Sequence, residues 1–484
     1  VLNVAFGIVR SKAVAMLLGP AGFGLMGLYT SIANLAQSVA GMGVNSSGVR
    51  QIAAAVGSGD SGRVARTAVV LRRVSVLLGL SGALLLVALS GRVSRLTFGS
   101  DDATLPVALL SLAVFLRVVS DGQGALIQGM RRISDLALLA ALGGLGGTVL
   151  TIALVWLFRE QGVVPSLVAT AAASLLFSWW YSRKVELEAP ALPASQVGQE
   201  ARALLRLGFA FMASGMLTLG AGYAVRIFIV RQIGLEAAGQ YQSAWTIGGM
   251  YVAFILQAMG ADFYPRLTAA VGDHAECNRL VNEQAQVSLL LAGPGVIATL
   301  TLAPLILIAF YSTAFLEAVP ILRWICLGAT LQVVTWPMGY IIVAEGRQAI
   351  FLVSELAYSV LYVAIAWLLV GWAGVDGAGM AFFASYVLHA LIVYPIVRWR
   401  TGFRWSGPNK RMGLAYLGLI GLVFCGFQVL PLWLATAAGV LALLLNASYS
   451  LRVLVRLVSA DRVPRSIQRV LAWARLAPRG TPSV

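Results

Sequence analysis

Apolar runs of about twenty residues, separated by short polar or glycine-rich turns, recur along the whole of this 484-residue chain. The stretches 74–91, 136–158, 161–182, 207–225, 237–261, 284–316, 356–375 and 377–397 hold no Asp, Glu, Lys or Arg. A helix crosses a bilayer with roughly twenty apolar residues, so these runs predict membrane spans. The run 13–49 is too long for one span and divides at Gly19-Pro20, and 412–451 divides near Pro431. The pattern predicts an all-α membrane protein of about 14 transmembrane helices. The first helix abuts a chain start that lacks Met and reads as truncated, so no signal peptide is read into it.

The pattern also repeats. Residues 19–43 read GPAGFGLMGLYTSIANLAQSVAGMG, and residues 234–260 read GLEAAGQYQSAWTIGGMYVAFILQAMG. Shifted by 217 positions, Gly22 meets Gly239, Met42 meets Met259, Gly43 meets Gly260, Gly122 meets Gly339 and Gly129 meets Gly346. The string AAVG recurs at a shift of 215, at 54–57 and 269–272. An even number of spans per copy gives both copies one orientation, so the expectation is two six-helix bundles related by an axis along the membrane normal. The predicted lobes are 1–184 and 204–400, joined by a cytoplasmic linker at 185–203 that carries Pro190 and Pro193. An extra helical hairpin follows at 412–456 and a basic cytoplasmic tail at 457–484. Within the tail, 465–477 puts Ile467, Val470, Leu471 and Ala474 on one face and Arg465 and Arg469 on another. It reads as a helix lying on the membrane surface or as a plain solvated one.

Composition agrees with this class: 59% hydrophobic, 11% charged, mean hydropathy +0.85, against about 25% charged residues in soluble domains. The net charge of +16 would suggest nucleic acid, but its placement excludes that reading. With the first loop outside, the even-numbered loops and the tail hold 24 Lys and Arg, and the odd-numbered loops hold only Arg92, Arg95, Arg159 and Arg231. By the positive-inside rule both termini are cytoplasmic. Cys277, Cys326 and Cys425 lack ligand spacing and read as packing residues. His274 and His389 are isolated, so no HExxH or histidine triad is available. No lysine follows a glycine, which excludes a G-x-x-x-x-G-K-[ST] phosphate loop. Asp101-Asp102, the one acidic pair in an outward loop, reads as a solvated turn.

What remains is charge within spans. Arg10, Lys12, Arg117, Arg226 and Arg323 are the candidate substrate-binding cations, and Asp121 and Glu355 the candidate ion-coupling acids. A charge at a helix centre costs roughly 2.5–3.5 kcal/mol on insertion scales, so each needs water, a partner or a route to the surface. Arg226 and Arg323 lie near the outer surface and have the alternative of snorkelling. Arg117 has the alternative of an i, i+4 ion pair with Asp121. Around it RVVSDGQG makes an unusually polar span, while Pro337, Pro294 and Pro304 interrupt spans of the second copy.

The runs KAVAMLLGPAGFGLMG (12–27), AAGQYQSAW (237–245) and GADFYPRLTAA (260–270) resemble Wzx-type polysaccharide flippases over essentially the whole chain. That family shares a superfamily with multidrug MATE exporters and lipid II flippases. The resemblance implies a V-shaped pair of bundles around a cationic cavity. The implied cargo is an undecaprenyl-diphosphate-linked oligosaccharide, such as an O-antigen unit, moved between leaflets of a bacterial inner membrane by alternating access. Lys12 and Arg231 match family positions, as do Tyr264, Pro265 and Arg266, which read as structural. Arg117, Arg226 and Arg323 match no family motif. The expectation is therefore a non-enzymatic flippase with no cofactor, driven by a proton or sodium gradient or by product removal. Its surroundings would be bilayer lipids, a polysaccharide polymerase and a chain-length regulator. A MATE-like ion antiporter, or a membrane polymerase or ligase, stays open as the alternative.

Overall fold

A computed structural model describes residues 2–185 and 194–457; most of the linker and the whole tail, including 465–477, lie outside the described residues. Sixteen α-helices follow in order: α1 Leu2–Gly41, α2 Val44–Gly57, α3 Ser61–Phe98, α4 Thr104–Gly129, α5 Ile133–Phe158, α6 Val163–Arg183, α7 Ala194–Gln232 and α8 Leu235–Ala258. After them come α9 Tyr264–Ala269, α10 His274–Thr301, α11 Ala303–Phe310, α12 Val319–Ala344, α13 Gln348–Ala373, α14 Asp376–Thr401, α15 Gly407–Val429 and α16 Leu432–Leu457. No strand occurs among the described residues.

Eleven described segments are long and apolar enough to cross a membrane. Two of them are composite. The first contains Gly19, whose φ of 67° and ψ of −169° break the helix before Pro20, and the segment Ile133–Arg183 is α5 and α6 joined at Arg159–Gly162. Dividing both and adding the 24-residue α8 brings the spans to about the expected fourteen. The protein is an all-α, multi-pass membrane protein. Its surface is that of a lipid-facing chain: Leu84, Leu105, Leu422 and Leu444 are exposed, while Ser47, Ser94, Ser166 and Thr151 are buried. Exposed Trp156, Trp372, Trp399 and Trp433 stand at helix ends, where indole rings favour the membrane–water boundary.

Helix ends follow local chemistry. Asp60 caps α3 by accepting from the Arg63 N–H at 2.7 Å, and Asp273 caps α10 by accepting from Ala275 and Glu276 at 2.9 and 3.1 Å. Ser406 caps α15, with Pro408 in its first turn. Pro294 and Pro337 lie inside helices that continue through them, whereas Pro304 opens α11 after a break at Leu302.

The repeat is present in the element bounds, at 215 rather than 217. Thr104–Gly129 and Val319–Ala344 have equal length and start 215 residues apart, as do Ile133–Phe158 and Gln348–Ala373. AAVG is therefore in register, and the glycine pairs matched at 217 are two residues out. In the 215 register Gly19 corresponds to Gly234, Pro20 to Leu235 and Gly24 to Gly239. Gly19 and Gly234 both take positive φ, 67° and 127°. Gly24 lies against the Leu235 carbonyl, and Gly239 lies against the Pro20 carbonyl. The two copied turns thus touch reciprocally, backbone to backbone, at positions where only glycine leaves room.

The chain divides into two compact units. The first comprises Val1–Gln242, Ile308–Leu316 and Glu355–Ala378; the second comprises Ser243–Leu307, Glu317–Ser354 and the chain from Gly379 onward. In the first, apolar cores form around Val107, Leu110 and Val114 and around Ile52, Leu71 and Leu126. In the second, α10 carries the extra hairpin, with α15 and α16 both packed on it, and Phe263, Val333 and Phe403 share a core. Phe263 and Tyr264 of the FYPRL stretch both pack on Tyr340. Arg266 pairs with Asp262 at 3.2 Å and with Glu283 at 3.9 Å, in keeping with a structural role.

Candidate functional site

In the first unit, α1 and α4 bring polar side chains together inside a membrane span. Arg117 donates to Asn34 Oδ1 at 3.0 Å, and Asp121 accepts from Gln37 Nε2 at 2.6 Å. Arg117 and Asp121 form no ion pair within 4.0 Å; each is met by a neutral amide one helical turn from the other. The i, i+4 spacing permits a direct pair, but the α1 amides offer both charges a better-placed partner across the helix contact. Behind them Ser178 donates to Gln123 at 2.7 Å and Ser120 donates to Ser178 at 3.1 Å. A cavity of about 360 Å³ opens beside this layer, lined by Asn34, Gln37, Ser38, Asn45, Ser75 and Asp121 among others. Asp121 is its one charged lining residue among the described residues.

The other candidate cations divide by partner. Lys12 donates to the Ala309 carbonyl at 2.6 Å, in the last turn of α11. Arg323, 8% exposed in the second unit, donates to the Leu300 carbonyl at 3.3 Å in the last turn of α10. Its guanidinium lies 3.7 Å from the Phe427 ring. Arg231 reaches the Arg95 carbonyl of α3 at 3.1 Å, and Arg159 reaches the Leu17 carbonyl at 3.4 Å just before the Gly19 break. The last carbonyls of a helix lack intrahelical donors and carry partial negative charge, so all four basic side chains close helix ends. Lys12 still has two of its three N–H donors to offer. Arg226 donates to Gln242 Oε1 at 3.0 Å and to the Gly222 carbonyl at 2.8 Å, and lies 5.6 Å from the Tyr241 ring. It is held inside the unit, as Arg323 is inside the other. Arg10, half-buried on α1, has no hydrogen-bond acceptor or ion pair among the described residues, and it lies near enough to Arg117 for their charges to interact. Glu355, half-buried on α13, also has no partner among the described residues.

Asn34 and Gln37 are the residues that a reading of charge alone passes over. The signal was available: Ser31, Asn34, Gln37 and Ser38 recur at helical spacing within an uncharged run, which is a polar stripe on a helix. Replacing Gln37 with Leu strips Asp121 of its donor. The expected result is a loss of about 1–3 kcal/mol of stability, read as a lower Tm in detergent, with Gln37→Asn recovering part of it.

The fold and these side chains define a multi-pass helical membrane protein with polar and cationic groups inside its spans. Residues 13–320 match the polysaccharide biosynthesis protein family, and the chain belongs to that family. It is 22% identical over 402 residues to the lipid III flippase of Escherichia coli strain K12, covering 80% of this chain and 93% of that one. Its fold is similar to an inward-facing multidrug resistance MATE family transporter of the MOP superfamily. The TM-score is 0.73 and the identity 17%, over 83% of this chain and 94% of that one. It is also similar to the lipid II flippase MurJ in an inward closed conformation, with TM-score 0.68 and 14% identity over 94% and 98% of the two chains.

Proposed function

We propose that this protein is a flippase for an undecaprenyl-diphosphate-linked oligosaccharide, an O-antigen or other polysaccharide repeat unit. It moves this cargo from the cytoplasmic to the periplasmic leaflet of a bacterial inner membrane by alternating access, with both termini cytoplasmic. The observation that carries this reading is the pair Arg10 and Arg117: two cations in apolar helices, Arg10 without an acceptor among the described residues and Arg117 hydrogen-bonded to a neutral amide, with Asp121 one turn away. Such charges are expensive in hydrocarbon, and a diphosphate supplies the anionic oxygens they lack through charge-assisted hydrogen bonds. The similarity to proteins named as flippases of lipid II and lipid III supports a lipid-linked precursor as cargo. Lys12 adds its two remaining donors at the same helix. The sugars travel through the polar interior while the polyprenyl chain stays in lipid, and no covalent bond changes, so the protein acts without catalysis or a cofactor. Asp121 and Glu355 are the acids through which a proton or sodium gradient couples. A polymerase and a chain-length regulator are the partners that take the product onward.

One observation favours a second reading, a MATE-like exporter of cations: the polar cavity has Asp121, and no arginine, in its described lining. Depleting the protein in its native cell separates the two. The flippase reading expects lipid-linked oligosaccharide to accumulate in the cytoplasmic leaflet, with organic-cation efflux unchanged. Reduced cation efflux with normal sidedness of the lipid-linked sugar overturns it.

A further inference from the structure

The second unit holds a groove that the transport reading does not use. Between α15 and α16 lies a cavity of about 590 Å³, bounded by Arg411 at one end and by Tyr416, Leu419, Leu445, Asn446 and Tyr449 further in. Three features define what fits it.

The first is depth. The groove runs from Pro408 to Leu419 on α15, about 16 Å at the helical rise, or half of a hydrocarbon core of roughly 30 Å. It therefore accommodates a chain belonging to one leaflet. A carrier lipid longer than the bilayer would need a groove through both.

The second is charge. Lys410 and Arg411 are exposed in the first two turns of α15, and Arg452 is exposed on α16 close to Tyr449 in sequence. None of the three makes an ion pair among the described residues. Arg411 lines the groove itself, and Lys410 and Arg452 lie on the same two helices beyond its lining, so that end carries unneutralised positive charge, at the side that the charge distribution assigns to the cytoplasm.

The third is a polar layer one step inward. Asn446 is 5% exposed, and its Oδ1 has no hydrogen-bond partner. It lies level with Tyr416, since both border Gly293 of α10, and the Tyr416 hydroxyl bonds that of Ser450 at 2.6 Å. Arg411 and Tyr416 are five residues apart on one helix, about 7 Å along its axis. That is the interval separating a phosphate from the ester carbonyls of a glycerophospholipid. Asn446 already bonds the Tyr416 hydroxyl; turned over, its oxygen accepts from that hydroxyl and its N–H₂ donates to such a carbonyl.

We infer that the α15–α16 groove is a binding site for one anionic glycerophospholipid of the cytoplasmic leaflet. Its phosphate is held by Arg411, Lys410 and Arg452, its ester region lies at Asn446, and an acyl chain runs along Leu419 and Leu445. The site is separate from the cargo reading, which stands or falls without it.

The test is lipid retention by the purified full-length protein, measured by native mass spectrometry after exchange into phosphatidylglycerol, phosphatidylcholine or a polyprenyl phosphate. Wild type should retain one phosphatidylglycerol in preference to phosphatidylcholine. Arg411→Gln with Arg452→Gln should weaken that retention about twenty-five-fold, roughly fivefold for each charge removed. Leu445→Trp fills the groove from an exposed position without changing charge and should expel the lipid as well. Arg50→Gln, an exposed charge on α2, should leave retention as in wild type. Equal retention of the two phospholipids, undiminished retention in Leu445→Trp, or displacement of phosphatidylglycerol by the polyprenyl phosphate would each overturn the assignment.

Discussion

Replacing Arg10 and Arg117 together with alanine should slow translocation of lipid-linked oligosaccharide about a hundredfold, with normal membrane insertion. A hydrogen bond to a charged group contributes about 1.5–3 kcal/mol, and each 1.4 kcal/mol is a factor of ten, so two such contacts to a diphosphate give at least that loss. Arg10 has no acceptor among the described residues to leave behind; Arg117 releases Asn34, a neutral amide facing a polar cavity, and the charge of Asp121 one turn away, which keeps its bond from Gln37. The damage should therefore fall on transport more than on folding. Fluorescent lipid-linked sugar in proteoliposomes, followed by its accessibility to an external reagent, measures the rate. Arg323→Ala provides the contrast. That side chain closes the end of α10 beneath Phe427, so its removal should lower Tm before it lowers the rate per folded molecule.

The second large effect is structural. Gly239→Leu should leave almost no folded protein, because the new side chain would start where the Pro20 carbonyl already stands. Overpacking against movable side chains costs about 1–3 kcal/mol; here the obstacle is backbone of the corresponding turn in the first copy, and it cannot rotate away. Gly24→Leu should behave the same way through the Leu235 carbonyl. Gly249→Leu, on the same helix as Gly239 but facing open space, should be tolerated. Size-exclusion profiles of fluorescent fusions distinguish these outcomes, and a normal monodisperse peak for Gly239→Leu would show that the two turns are not locked together.

These two cases also mark how far the sequence could be read. The spans, the break at Gly19-Pro20 and the existence of a repeat are legible, because hydrophobic length and turn glycines are local properties. The register of the repeat is not: glycine is so common here that pairs at 217 look convincing, while the helices themselves repeat at 215. Which cations are free is still less legible. Lys12 and Arg323 each give one donor to the carbonyl end of another helix, which Arg10 and Arg117 do not, and no spacing along the chain records that contact. Asn34 and Gln37 are the opposite case. Their helical spacing is plain in the run 13–49, but neutral amides attract less notice than charges, although in a span they decide whether a charge is spent or available.

Direct binding of a short-chain polyprenyl-diphosphate sugar to the purified protein, set against its monophosphate analogue, tests the account at its centre. Wild type should prefer the diphosphate at least tenfold, and the Arg10→Ala, Arg117→Ala protein should bind the two alike. Undiminished diphosphate preference in that variant would contradict the account, as would an absence of preference in wild type.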